Sequence, residues 1–263
     1  MIHLLKSNNL KHIAVVIIFI TCFYSCKKDK EVEIYTKSEN VKMGNGYVYS
    51  WIRTDFMNKP IALGFTLTKA ALENLSGDSC EANHNHSSFE MKIPSQASKT
   101  PFDHIVINWN SNGHEPFEIY GIPHFDFHFY MITSEEKEFI PLYEADSMKF
   151  KNAPPAEYLP SGYIYPGGGE PQMGAHWIDP ASPELNGENF TETFIYGTFD
   201  GKVNFIEPMI TYDFFVNISD FTRKVPRPAK VKITGYYPQK LKITKSKDDF
   251  IVSLNDFEYR IAE

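Results

Sequence analysis

Cysteine is scarce in this chain of 263 residues: only Cys22, Cys26 and Cys80 occur. The first two sit at the end of an N-terminal leader, which leaves Cys80 alone in the remainder. A single thiol cannot close an internal disulfide, so that remainder must hold itself together by its apolar core. Cys80 lies in Ser76-Gly-Asp-Ser-Cys80-Glu81, a polar, turn-rich setting that suits a bland thiol better than a nucleophile. Basic blocks are also missing. The formal net charge is −7, which argues against a nucleic-acid partner. Long apolar runs are missing too, since Ile13–Ile20 is short for a stable membrane span. There is no Gly-x-Ser-x-Gly elbow, no Cys-x-x-Cys, no His-Glu-x-x-His and no dinucleotide glycine fingerprint. Gly167-Gly168-Gly169 has no Lys-Ser/Thr after it. Serine-nucleophile hydrolysis and nucleotide chemistry are therefore disfavoured.

The first feature present is the leader. Lys6 and Lys11 precede the apolar run, which ends at Phe23-Tyr24-Ser25-Cys26 and is followed by Lys27, Lys28 and Lys30. A positive start, a short hydrophobic core and a small residue before cysteine form the pattern of a bacterial lipoprotein signal. On this reading residues 1–25 are a signal peptide and the Cys26 thiol accepts the lipid. Residues 26–40 are a polar tether, and residues 41–263 form one domain. Loss of the leader removes two lysines and no acids, so the mature chain is more acidic by two charges. The expected location is the bacterial cell envelope, on its periplasmic or outer-surface face, with membrane contact through the lipid.

Strand signals dominate the remainder. Gly46–Arg53, Pro60–Leu67, His104–Trp109 and Phe250–Leu254 are β-branched or aromatic with alternation. Thr193–Glu207 reads as a hairpin turning at Asp200-Gly201. Lys230–Tyr237 and Lys240–Thr244 read as further strands, and Glu118–Tyr120 as a short one. Thr68–Leu75 is the clearest helix, with Thr68 as N-cap. Ser147–Phe190 is a long Pro/Gly-rich loop of the kind that serves function, with a flap at Gly167–Gly169. Many short strands, little helix and 17 prolines predict a mainly β fold: a single β-sandwich or barrel-like domain with one short helix.

The chemistry concentrates in Pro123-His-Phe-Asp-Phe-His-Phe-Tyr130. On a strand His124, Asp126 and His128 share one face, and Phe125, Phe127 and Phe129 share the other. The Phe face reads as core and the His/Asp face as a site. Met173-Gly-Ala-His176-Trp177, Phe205-Ile-Glu207-Pro-Met209 and Gly113-His114-Glu115-Pro116 add further imidazoles and carboxylates. Histidine and carboxylate together are the ligand set of a catalytic divalent metal, zinc first, with iron or manganese as alternatives. The expected ligands are His124, His128, His176 and Glu207, with Glu207 as fourth ligand or general base. Asp126 is expected to be catalytic, either as a ligand or by orienting an imidazole. His114 and Glu115 are expected to support the site from behind. Geometry restrains this reading: Cα atoms four apart on a strand are about 13 Å apart, so His124 and His128 reach one ion only across a bulge or at full stretch. His84 and His86 read as an exposed loop, and His104 as structural.

At these residues the chain resembles the TTHB210-like proteins of bacteria. The resemblance spans most of Val41–Arg260. It is carried by Ala62-Leu-Gly-Phe-Thr-Leu67, Pro101-Phe-Asp-His104, Asn108-Trp-Asn110, the His/Asp strand, Met173–Trp177, Phe194-Ile-Tyr-Gly197 and Phe205–Thr211. It implies a mostly β domain, often exported, that assembles into a homo-oligomer, and it implies no activity. Two readings follow. One is a metal-dependent enzyme that uses a metal-bound water on a small-molecule ligand. The other is a non-catalytic binding or assembly module with a structural metal or a hydrogen-bonded cluster.

Overall fold

The structure is a computed structural model and describes residues 32–75 and 86–263. The segment read as a signal peptide, Cys26 with its expected lipid, Cys80, His84 and the side chain of His86 lie outside the described residues.

In chain order the strands begin β1 (Ile34–Lys37), β2 (Val41–Met43), β3 (Gly46–Thr54), β4 (Pro60–Thr68), β5 (His86–Lys92), β6 (His104–Asn110) and β7 (His124–Tyr130). They continue β8 (Ala175–Trp177), β9 (Glu192–Phe199), β10 (Lys202–Thr211), β11 (Asp220–Lys224), β12 (Gly235–Tyr237), β13 (Lys240–Lys245), β14 (Asp249–Asn255) and β15 (Glu258–Arg260). One sheet has the order β1-β3-β4-β14-β13-β11, with β2 also paired to β3; the second has the order β5-β6-β7-β10-β9-β8. β12 and β15 form a separate ribbon.

The two large sheets pack face to face as a sandwich. Ile52, Leu63, Phe65, Val252 and Leu254 of the first sheet share a core with Ile105, Ile107, Phe125, Phe127, Phe129, Ile206 and Ile210 of the second. The Phe65 and Phe127 rings meet edge to face at 4.9 Å. The alternation in β7 thus does what its period requires: its three phenylalanines point into the sandwich and are fully buried. The β9–β10 hairpin turns on Asp200 (φ 48°) and Gly201 (φ 76°), the two left-handed residues of a two-residue turn.

Several expectations need correction. Part of the stretch read as a tether joins the fold: Ile34–Lys37 pairs with β3, with Tyr35 against Trp51 and Glu33 bound to Arg53. The helix expected over Thr68–Leu75 is only a 3₁₀ turn, Lys69–Leu72. Thr68 does not cap it, because its hydroxyl accepts the Tyr47 N–H instead, and Asn74 turns left-handed (φ 55°) just beyond. Glu118–Tyr120 is helical, within Phe117–Tyr120, because the Pro116 carbonyl accepts from the N–H groups of Ile119 and Tyr120. Lys230–Tyr237 contributes only Gly235–Tyr237 to a strand; the Lys230 N–H is drawn off to the Glu157 carbonyl. Instead of one short helix there are several, among them Ser147–Lys151 inside the long Pro/Gly-rich segment. That segment also supplies the edge strand β8.

The long segment positions the site by covering the outer face of the second sheet. Gln172 accepts the Tyr130 hydroxyl, and Met173 packs beside Val106, Tyr130 and Phe205. Phe190 joins Tyr120, Ile195 and Met209 in a second small cluster. The outer face of β7 is therefore interior, and its polar side chains are as buried as the phenylalanines behind them.

Candidate metal centre

On this covered face three central strands present alternate residues. β6 offers His104, Asn108 and Asn110, β7 offers His124, Asp126 and His128, and β10 offers Glu207 and Met209; apart from apolar Met209, these are buried polar or charged side chains. The register sets Asn110 opposite His124, Asn108 opposite Asp126, and Met209 opposite Asp126 from the other side. Pairing of β10 with β7 is recorded at Phe205 and Ile206 and resumes at Met209. Pro208, which has no N–H, lies in the gap. His176 comes from β8 at the sheet edge, opposite Gly197 of β9, and Gly197 in turn faces Phe205. A Cβ at Gly197 would lie 2.1 Å from the Phe205 ring, so only glycine leaves that ring its place between the His128 and His176 rings.

The polar side chains fall into two groups. His114, His124 and Asp126 form one; His128, His176 and Glu207 form the other; in each, one ligand-capable atom per residue lies within 4.8 Å of the others. This corrects the single four-ligand site expected from the sequence. His124 is not grouped with His128, His176 and Glu207, for the strand-length reason already given. Asp126 stands among the donor atoms themselves. His114 stands within this group rather than behind it. Glu115 is exposed, and only its backbone carbonyl takes part.

In the first group the imidazoles are held by the backbone. His124 donates from Nδ1 to the Ile122 carbonyl at 2.7 Å, and His114 donates from Nδ1 to the Glu115 carbonyl at 2.8 Å. A carbonyl only accepts, so the proton of each neutral ring is fixed on Nδ1 and the Nε2 lone pair is left facing inward. Both Nε2 atoms face Asp126: His124 Nε2 is 3.3 Å from Oδ1 and His114 Nε2 is 3.6 Å from Oδ2. Neither His124 Nε2 nor Asp126 Oδ1 makes a hydrogen bond, although both are buried. Asn110 fixes the carboxylate by donating from Nδ2 to Oδ2 at 2.7 Å. Donor atoms at 2.0–2.2 Å from a tetrahedral ion are about 3.4 Å from one another, close to the 3.3 and 3.6 Å that separate the two imidazoles from the carboxylate oxygens. A metal ligand whose other ring nitrogen donates to a carbonyl is the usual arrangement around such an ion.

The electrostatics agree. Burial pushes the Asp126 carboxyl up, but the imidazoles of His124 and His114 outweigh it and hold its pKa well below the usual range. Burial lowers His114, but hydrogen bonding to Asp126 and its charge reverse this and raise its pKa. A positive charge, proton or metal, is thus favoured between His114 and Asp126.

The second group has a different environment. His128 Nε2 is 3.5 Å from Glu207 Oε1, and Glu207 Oε2 is buried without a hydrogen bond. Burial, reinforced by the Asp126 charge, pushes the Glu207 carboxyl well above its ordinary pKa. Burial also lowers His176 to about 4, with the His114 charge acting in the same direction. The two groups are thus electrical neighbours. Beside them a cavity of ≈180 Å³ is lined by Val106, Asn108, Tyr130, Glu170 and Met173, among others. His104 is structural: it is buried, bonded to Asp103 at 2.9 Å and stacked on Tyr130. Sequence reasoning missed Asn110, although the alternation His104-x-Val106-x-Asn108-x-Asn110 aims it at the same face.

Fold and face together define a mainly β sandwich with a covered histidine–carboxylate layer. Within it residues 58–109 match the family model of the TTHB210-like proteins, described as "Hypothetical protein TTHB210". The match runs from just before β4 to Trp109 of β6 and includes Ala62–Leu67 and Pro101–His104; the residues of both groups lie beyond it. No curated protein and no solved structure matches the chain.

Proposed function

We propose that this protein binds a divalent cation, zinc first, through His114 Nε2, His124 Nε2 and Asp126, and uses it to activate water for hydrolysis or hydration of a small molecule. The observation that carries the reading is the pair of Nδ1–H donations to backbone carbonyls. They commit both imidazoles to present bare Nε2 lone pairs to one carboxylate. Such an arrangement opposes like electron pairs at 3.3 Å, where His124 Nε2 faces Asp126 Oδ1, unless a cation or proton lies among them. The site is open on one side: the His114 side chain is 39% exposed, whereas His124 is fully buried. Three protein ligands with one free direction are the composition of a catalytic zinc site, and the cation's contribution there is to make a bound water acidic near neutral pH. Asn110 keeps Asp126 oriented. The leader sequence supports a location at the cell envelope, with the domain held to a membrane by lipid on Cys26.

The test is metal analysis of the purified protein after chelator treatment and reloading with zinc, repeated on His124→Ala and His114→Ala. Each variant is expected to lose one equivalent relative to the wild type. Equal zinc content in all three proteins, or none in the wild type, overturns the reading.

A further inference from the structure

We propose that His128, His176 and Glu207 hold a second divalent cation, distinct from the first and enclosed by the protein. The inference rests on the reading that this face binds divalent cations, and it adds a site of different character.

Three strands converge to make it. β7 supplies His128, β10 supplies Glu207 and edge strand β8 supplies His176, whose ring meets that of Phe205 at 5.7 Å. Their donor atoms lie within 4.8 Å of one another, and the His128 Nε2 to Glu207 Oε1 separation of 3.5 Å again matches the edge of a tetrahedron around an ion.

Glu207 is the decisive member. It is 2% exposed, its Oε2 makes no hydrogen bond, and among the described residues no ion pair joins it to a lysine or arginine. It stands in a central strand between Phe205 and Met209, where an ionised carboxylate needs a cation beside it. A cation held by two imidazoles and this carboxylate gives the unused oxygen a partner.

The two sites are separate centres. They share no residue, and Asp126 and His128, one from each, are alternate positions on a strand, about 6.6 Å apart at Cα. Their accessibility differs. His114 gives the first site a solvent side, whereas in the second His128 and Glu207 are buried and the Nε2 of half-buried His176 is itself covered. The enclosed ion therefore ties edge strand β8 to the sheet centre and exchanges slowly with solvent. Two imidazoles and one carboxylate suit zinc, and cobalt(II) is a coloured stand-in for it.

The test titrates the chelator-stripped protein with cobalt(II), following visible absorption, with zinc content measured in parallel. The wild type is expected to take two equivalents, one of which leaves slowly when chelator is added. Glu207→Gln and His176→Ala should each take one equivalent, lacking the slow component, while His124→Ala retains that component. His176→Ala, at a sheet edge, keeps the test valid should Glu207→Gln fail to fold. A wild type that takes one equivalent, lost in His124→Ala and kept in His176→Ala, overturns the second site and leaves the first reading standing. Loss of both equivalents in His176→Ala also overturns it, by showing a single shared centre. No uptake by the wild type overturns both readings.

Discussion

The two faces of β7 are equally buried and chemically opposite. Phe125, Phe127 and Phe129 on one side, and His124 and His128 on the other, are all 0% exposed, with Asp126 close behind at 5%. The phenylalanines meet the other sheet, an environment any apolar side chain would satisfy. The polar side chains meet a covering layer of loops and short elements, where each donor or acceptor needs a specific partner. Burial on the first face drives folding; burial on the second is a cost, which only function or a bound charge repays. A strand can therefore carry the core and the site at once, with each perturbed independently by choosing the parity of the residue changed.

The largest separation of the two comes from Phe127→Ala. Removing a fully buried phenylalanine ring that packs on Phe65 and Phe215 should cost about 3–5 kcal/mol of folding stability. That is a large part of the 5–15 kcal/mol typical of a whole protein. Denaturant unfolding checks the loss. Cation uptake per folded chain should be unchanged, because the side chain points away from both groups. A fall in stoichiometry in the folded fraction would mean that the faces are not independent.

How much of this was legible in the sequence follows from the same parity argument. The two-residue period of β7 is explicit in its letters, so its limits and the fate of each face could be read directly. Asp200-Gly201 likewise announces its turn, since few other pairs accept two left-handed residues in succession. The division of the polar residues into two groups was not legible, because it depends on neighbours brought in by β6, β8 and β10. His114 arrives from a loop fixed by the Glu115 and Tyr120 backbone, and His176 from a three-residue strand too short to leave a pattern. The strand-length estimate allowed His124 and His128 one ion only across a bulge or at full stretch, and the sequence still grouped them; what it withheld was the separate partner set for each. The joining of Ile34–Lys37 to the sheet was hidden for another reason. An edge strand with one side exposed can be as polar as a linker.

A smaller effect should separate the two polar groups. Asn110 touches only the Asp126 side, by its bond to Oδ2. Asn110→Ala should weaken cation binding at the His114–His124–Asp126 group by 10–100-fold, or about 1.4–2.7 kcal/mol, the usual price of losing a residue that orients a ligand. Binding at His128–His176–Glu207 should not move. Competition titration against a chromophoric chelator resolves the two affinities, and equal weakening of both would merge the groups.

The last effect concerns the metal-free protein and the sign of its pH dependence. Glu207 has a folded pKa raised well above 4.5 by burial and then by Asp126, so the folded state keeps a proton that the unfolded state has released. More protons bound in the folded state means that stability falls as pH rises from about 4.5 towards the folded pKa, by at most about 1.4 kcal/mol per pH unit. His176 acts oppositely. Its pKa is lowered from 6.5 to about 4, so over that interval the unfolded state holds the extra proton and stability rises with pH. The raw curve therefore mixes both signs, and the difference between wild type and Glu207→Gln isolates the first. Glutamine imitates the protonated acid at every pH, so above pH 4.5 the wild type should lose ground steadily against the variant in chelator-containing buffer. Saturating zinc should reverse the order, because the cation stabilises the ionised carboxylate that the variant lacks. Parallel curves in chelator would show that Glu207 is ionised in the metal-free fold, with its charge compensated from within the protein.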